Sequence, residues 1–168
     1  MAVLRNHVPE LTIGELHWQP ELGGAFPLSL PDTGTSERLP HVDGTAAAFA
    51  AVAVDGVGGQ LAGAMSAFGV NRHVLRGNLA SALAGATRTL ASIRPRHGVA
   101  AEAFLDVLTN HPALAGSSRR LDDGTFRRTN CCLIYRAAPG HDGPLCGDCG
   151  LTDAPAAQDA PVTAGPAD

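Results

Sequence analysis

Four cysteines occur in this chain of 168 residues, and all fall within nineteen: Cys131-Cys132, thirteen intervening residues, then Cys146-Gly147-Asp148-Cys149. Structural thiols have no reason to gather in this way. Four thiolates are a complete donor set for one tetrahedral metal ion or one iron–sulfur cluster, because soft sulfur suits both Zn²⁺ and iron bound to sulfide. The C-x-x-C spacing of Cys146 and Cys149 lets two sulfurs converge across a tight turn, and Gly147 and Gly150 give that turn backbone freedom. The adjacent pair is less ordinary. Zinc ribbons favour cysteines two to four residues apart, and neighbouring side chains in an extended chain point to opposite faces. An ordinary zinc knuckle is therefore disfavoured but not excluded, and spacing alone leaves Zn²⁺ and an iron–sulfur cluster both open. Disulfides are the weaker reading, since gathered cysteines in a reducing compartment act as metal ligands and a vicinal disulfide closes a strained ring.

Positive charge surrounds these thiols. The net charge is −4, with twelve basic residues, all arginine. From Ser117 to Arg136 the local balance is +3, from Arg119, Arg120, Arg127, Arg128 and Arg136 against Asp122 and Asp123. Cations beside a sulfur-ligated cluster favour its reduced state and raise its potential. Arg127, Arg128 and Arg136 flank the cysteines and suit that role. Arg119, Arg120, Arg127 and Arg128 also suit docking of an oxygen-rich ligand through guanidinium forks. Nucleic acid is disfavoured as a partner, because no nucleic-acid motif accompanies the basic residues and aromatics for stacking bases are scarce.

The run Phe126-Arg127-Arg128-Thr129-Asn130-Cys131-Cys132-Leu133-Ile134-Tyr135-Arg136, followed by Leu145-Cys146-Gly147-Asp148-Cys149, resembles the C-terminal signature of FhuF-like ferric-siderophore reductases. A weaker likeness lies in Val74-Leu75-Arg76-Gly77-Asn78-Leu79-Ala80-Ser81-Ala82, and the resemblance covers about residues 10–151. The family has roughly ten residues between the pair and the C-x-x-C, where this chain has thirteen; the surplus lies in the turn-rich Ala138–Pro144 loop. The chain is also shorter than the family's usual length, at its N-terminal side. The resemblance implies a [2Fe–2S] cluster on Cys131, Cys132, Cys146 and Cys149, a ferric siderophore as substrate, and an external electron donor. It implies an oxidoreductase with no catalytic residue beyond the cluster. The alternative class is a non-enzymatic helical binding module stapled by a structural Cys₄ zinc site. A [2Fe–2S] carrier or sensor without siderophore activity is a third reading.

Nothing else in the sequence competes as a reaction centre. Gly56-Val57-Gly58-Gly59 follows a helical stretch and lacks the G-x-G-x-x-G pattern of nucleotide cofactors, so an electron donor must be another molecule. His73, His97, His111 and His141 lie far apart with no i, i+4 pairing; only His141, in the cysteine loop, is placed to donate to a sulfur. Asn78 is expected to spend its amide on nearby backbone, and Asp148 to cap the cysteine turn. The opening residues lack an apolar signal core, and the longest uncharged run, Gly56 to Asn71, is too short and glycine-broken to span a bilayer. The expectation is a cytoplasmic protein without a transmembrane segment.

These residues need a scaffold, and the pattern predicts one α+β domain, mostly helical, over residues 1–151. It comprises an N-terminal β-hairpin, a helical part over about 43–116 and a loop-rich cysteine module over about 117–151; a disordered tail fills 152–168. Residues 1–10 and 31–42 read as irregular, with hairpin strands in Leu11–Trp18 and Ala25–Leu30. Helices are expected over Ala46–Val54, Gln60–Phe68, Arg72–Ile93 and Val99–Leu108, with a weak point at Asp55–Gly59. In the third, Leu75, Leu79, Ala82, Leu83, Ala86, Leu90 and Ile93 form an apolar stripe. Cys132–Tyr135 reads as a short strand.

Overall fold

Alanine-rich helices with small buried faces make up most of the molecule. The computed structural model describes residues 7–9, 12–19, 28–29, 36–38 and 42–153. The α+β, mostly helical reading holds. Antiparallel pairs join β1 (His7–Pro9) to β4 (Ser36–Arg38) and β2 (His17–Trp18) to β3 (Leu28–Ser29). The second pair lies within the expected hairpin, of which Leu11, 25–27 and Leu30 lie outside the described residues. Ile13–Glu15 is a 3₁₀ turn instead of strand, because Glu15 reaches back to the Thr12 N–H at 3.0 Å and closes a capping box. The first pair lies in segments whose proline and glycine content reads as loop, and pairing between distant segments supplies what local pattern does not.

Helix α1 (Val42–Ala50) continues through a π-helical stretch, Ala51–Gly58, into α2 (Gly59–Ser66). The glycines that weaken this region in sequence therefore widen the helix without breaking it. The helix Gly44–Ser66 is long and apolar enough to cross a membrane by length and composition, with a mean hydropathy of 1.3 and 17% of its most apolar window buried. The uncharged run Gly56 to Asn71 overlaps this longer helix, which also takes in Asp55. Length and composition do not separate a span from a helix packed on protein.

Helix α3 (Arg72–Ile93) has the expected boundaries, and Asn71 caps it by accepting the His73 N–H at 2.8 Å. Its buried face differs from the leucine stripe. Gly77, Ala80, Ala84 and Thr87 are buried, Leu79 and Leu83 are half-buried, and Ala82, Ala86 and Ile93 are exposed. Small residues face inward because they let neighbouring backbones approach closely, which a count of apolar side chains does not reveal. Helix α4 (Gly98–Thr109) buries Ala101, Phe104, Leu105 and Leu108 against α1 and α3. One core cluster joins Ala46, Ala50, Val54, Phe104, Leu108 and Leu114, with the Phe49 and Phe104 rings 5.5 Å apart. A second joins Ala80, Ala84, Leu105 and Phe126, and Leu83 touches both.

The cysteine module begins with a hairpin, β5 (Ser118–Arg120) and β6 (Phe126–Arg128), in the register Ser118↔Arg128, Arg119↔Arg127, Arg120↔Phe126. Alternation along β6 buries Phe126 and Arg128 and leaves Arg127 half-buried on the other face. Phe126 reaches the α3–α4 core and so fixes where the arginines beside it stand. The expected strand at Cys132–Tyr135 is absent. Leu133 takes a left-handed conformation with φ +65°, and Ile134–Ala137 is 3₁₀. A left-handed residue directly after the cysteines interrupts any extended run. Gly150–Asp153 is also 3₁₀, so residues 152 and 153, expected to belong to a disordered tail, are helical; 154–168 lie outside the described residues.

Candidate metal centre

The two cysteine segments are brought together by backbone. The Arg128 N–H donates to the Asp148 carbonyl at 3.0 Å, and the Gly150 N–H donates to the Asn130 carbonyl at 3.3 Å. Cys131-Cys132 and Cys146–Cys149 thus leave adjacent, hydrogen-bonded chains. The contact is close: a side chain at Gly150 would lie 2.8 Å from the Arg128 carbonyl oxygen. On the helix side, Asn130 Nδ2 donates to the His73 carbonyl, and Asn130 packs where a side chain at Gly77 would stand. Glycine at 77 and at 150 is what allows this seating.

The thiols of the two segments meet, with Cys132 Sγ and Cys146 Sγ 3.3 Å apart. The Leu133 N–H donates to Cys131 Sγ at 3.3 Å. Cys149 is fully buried and the other three are half-buried. Two sulfurs on one metal with bonds of about 2.3 Å stand about 3.8 Å apart, so a small separation of Cys132 and Cys146 would admit a metal. Among the described residues no three His, Cys, Asp or Glu side chains are gathered to hold a single ion. A dinuclear iron–sulfur cluster asks for two thiolates at each iron, and the four free cysteines of the two segments supply that number.

Arg128 and Arg127 grip the Cys146–Cys149 turn from opposite sides of β6. Arg128 is 2% exposed; its Nη2 lies 3.4 Å from Asp148 Oδ1, and its Nη1 donates to Asn78 Oδ1 at 2.9 Å. Ser81 donates to Asp148 Oδ2 at 2.5 Å. Arg127 Nη1 donates to the carbonyls of Gly147 and Cys149 at 3.2 and 3.4 Å and also meets Thr152 Oγ1. Asp148 and Asn78 therefore differ from their sequence readings. Asp148 is a buried partner of Arg128 and not a turn cap, and the Asn78 amide accepts from a side chain fifty residues away instead of from local backbone.

Burial pushes the Cys132 thiol up, but the Ile134 N–H, the Arg128 guanidinium and the Cys146 hydrogen bond together hold it below its ordinary value. Cys146 is raised, first by its hydrogen bond with Cys132 and then by burial. Burial also raises Cys131, against the opposing Leu133 N–H. For Arg128, burial works against the charge, and hydrogen bonding to Cys132 with the charges of Asp148, Cys132 and Cys146 outweighs it. Arg128 Nε is buried with no hydrogen-bond partner among the described residues.

The remaining arginines stand elsewhere. Arg120 is spent on Glu102 and Asp106, at 2.7 and 2.8 Å. Arg119 is exposed on β5 opposite Arg127, and Arg136 is exposed with its guanidinium 6.0 Å from the Tyr135 ring centroid. His141 turns to the Arg136 carbonyl at 2.6 Å, not to a sulfur. Ser81 is the site residue to which sequence reasoning gave no role; it and Asn78 lie on the side of α3 that meets the module, within the Val74–Ala82 stretch.

Comparison with protein-family models, with curated proteins and with solved structures found no match to this chain.

Proposed function

We propose that Cys131, Cys132, Cys146 and Cys149 hold a [2Fe–2S] cluster and that the protein is a ferric-siderophore reductase. The observation that carries the reading is the meeting of the two cysteine segments, which brings Cys132 Sγ to 3.3 Å from Cys146 Sγ next to the buried Arg128–Asp148 pair. Bound there, the cluster supplies reversible one-electron transfer. The chain's own groups do the rest. Backbone pairing of 128–130 with 148–150 keeps the two cysteine segments in register, and the Leu133 N–H and Arg128 donate toward sulfur. Burial of Cys149 keeps one side of the site from water.

The siderophore as substrate rests on the resemblance of the cysteine signature to FhuF-like reductases. Its chemistry suits so simple a site. Hard oxygen chelators hold Fe³⁺ better than Fe²⁺, so one electron loosens the complex, and no acid–base group is required. Arg119, exposed on β5, and the half-buried Arg127 opposite it are the edge of the module assigned to docking the chelate. The electron comes from an external donor, and the working compartment is the cytoplasm. The test is anaerobic reduction of a ferric hydroxamate and a ferric catecholate, followed by trapping of Fe²⁺ with a coloured chelator. The cluster-bearing protein should accelerate Fe²⁺ release over reductant alone, and Cys132→Ser should abolish the acceleration. No acceleration with any chelate would leave an electron carrier.

A further inference from the structure

The helix that runs through the π-helical stretch into α2 meets α3 closely at one point and parts from it further on. A Cβ added at Gly58 would stand 2.7 Å from the Leu79 side chain, so the two helices press together there. At Gly63 a Cβ would meet nothing within 4 Å. Between them lies a cavity of about 380 Å³, whose lining includes the buried Val54 and Leu114, Leu79, Gly63, Arg72 and Arg76. That volume suits a small molecule. Glycine inside a helix costs stability relative to alanine, and no close approach at Gly63 requires one. What the missing side chain preserves is the open space.

The cavity carries charge of one sign. Among the described residues that line it none is acidic. Arg76 Nε donates to the Ala113 carbonyl at 2.6 Å and its Nη2 to the Ala115 carbonyl at 2.8 Å. These neutral acceptors fix the guanidinium and leave its charge uncompensated. Arg72 is exposed and has no hydrogen-bond or ion-pair partner among the described residues. It stands in the first turn of α3, where the helix dipole disfavours a cation and no acidic residue offsets it.

We propose that this cavity binds a small aliphatic carboxylate, its head on Arg76 and Arg72 and its chain against Val54, Leu79 and Leu114. A guanidinium matches a carboxylate with parallel N–H···O bonds, and among the described residues nothing occupies Nη1 of Arg76. Two arginines repel a cation, and an uncharged chain gains the apolar contact alone. No lining residue belongs to the cysteine module, so the site does not depend on what the cysteines hold.

The experiment is isothermal titration calorimetry of the full chain, as purified, with octanoate, octan-1-ol and octylammonium. Octanoate should saturate a single site and bind about tenfold tighter than octanol, the worth of hydrogen bonds to a charged group. Octylammonium should not bind. Arg72→Gln removes no contact of the fold and should bring octanoate toward octanol, and Arg76→Gln should bring it further. Gly63→Leu puts a better helix former at an exposed helix position, so it should fold, fill the cavity and abolish binding of both. Thermal unfolding checks that each variant is folded. Octanoate bound no tighter than octanol or octylammonium, binding unchanged in Gly63→Leu, or no saturable binding at all would overturn the proposal. None of these outcomes bears on the cysteines, and a chain that takes up no iron would leave this site as it is.

Discussion

Arg128 Nη2 and Asp148 Oδ1 stand 3.4 Å apart with side chains only 3% and 10% exposed, so an ion pair joins β6 to the middle of the C-x-x-C turn almost out of water. Removing one partner of a buried pair strands a charge and costs about 3–5 kcal/mol, whereas replacing both by apolar side chains of similar volume is near neutral. Arg128→Ala should therefore lower the unfolding free energy of the metal-free protein by roughly that amount, and Arg128→Met with Asp148→Leu should recover most of it. Denaturant unfolding of the two variants checks this. Equal loss in both would mean that the pair contributes through packing and not through charge.

The seating of the cysteine segments makes a second prediction. A methyl group at Gly150 would stand 2.8 Å from the Arg128 carbonyl oxygen and 3.0 Å from the Asn130 nitrogen, both backbone atoms with little room to yield. Gly150→Ala should cost about 1–3 kcal/mol, as overpacking does, and should lower the iron bound per chain after reconstitution. At Gly77 the obstacle is the Asn130 side chain. Gly77→Ala gains about 1 kcal/mol of helix propensity and loses the Asn130 seat, so it should be destabilising alone and better tolerated with Asn130→Ala. Thermal unfolding of the single and double variants gives the sign.

The β5–β6 turn carries a pH signature. The Thr125 N–H donates to Asp123 Oδ1 at 2.8 Å and holds that carboxyl below the usual carboxylate value, with a further contribution from the Arg127 charge. A depressed carboxyl contributes stability above its unfolded pKa of about 3.9, and that contribution is lost as pH falls through the lower folded value. In an NMR titration the Asp123 carboxyl carbon should titrate below the ordinary aspartate value, with the Thr125 amide shift following it. An ordinary Asp123 midpoint would contradict the turn geometry.

Legibility in the sequence followed the kind of force involved. Helix α3 was readable to its ends, because Asn71 caps it and a run of good helix formers fills it. Its buried face was not, because close approach through Gly77, Ala80 and Ala84 selects small residues that carry little hydropathy signal. The convergence of the cysteines was readable from spacing, but the contact of Cys132 with Cys146 was not, since it depends on the register of residues 128–130 against 148–150. The arginines read as one basic patch. In the structure β-strand alternation sends Arg128 inward and Arg127 to the opposite face, and Arg120 meets carboxylates from α4. Asp148 and Asn78 were misread because their partner, Arg128, is distant in sequence.

The most direct test of the account is metal and sulfide analysis of the anaerobically purified protein, with EPR before and after dithionite. Two irons and two sulfides per chain are expected, with no signal as isolated and a slow-relaxing S = ½ signal appearing on reduction. A colourless protein with one zinc per chain, still EPR-silent after reconstitution with iron and sulfide, would contradict the account and leave a zinc-stapled binding module.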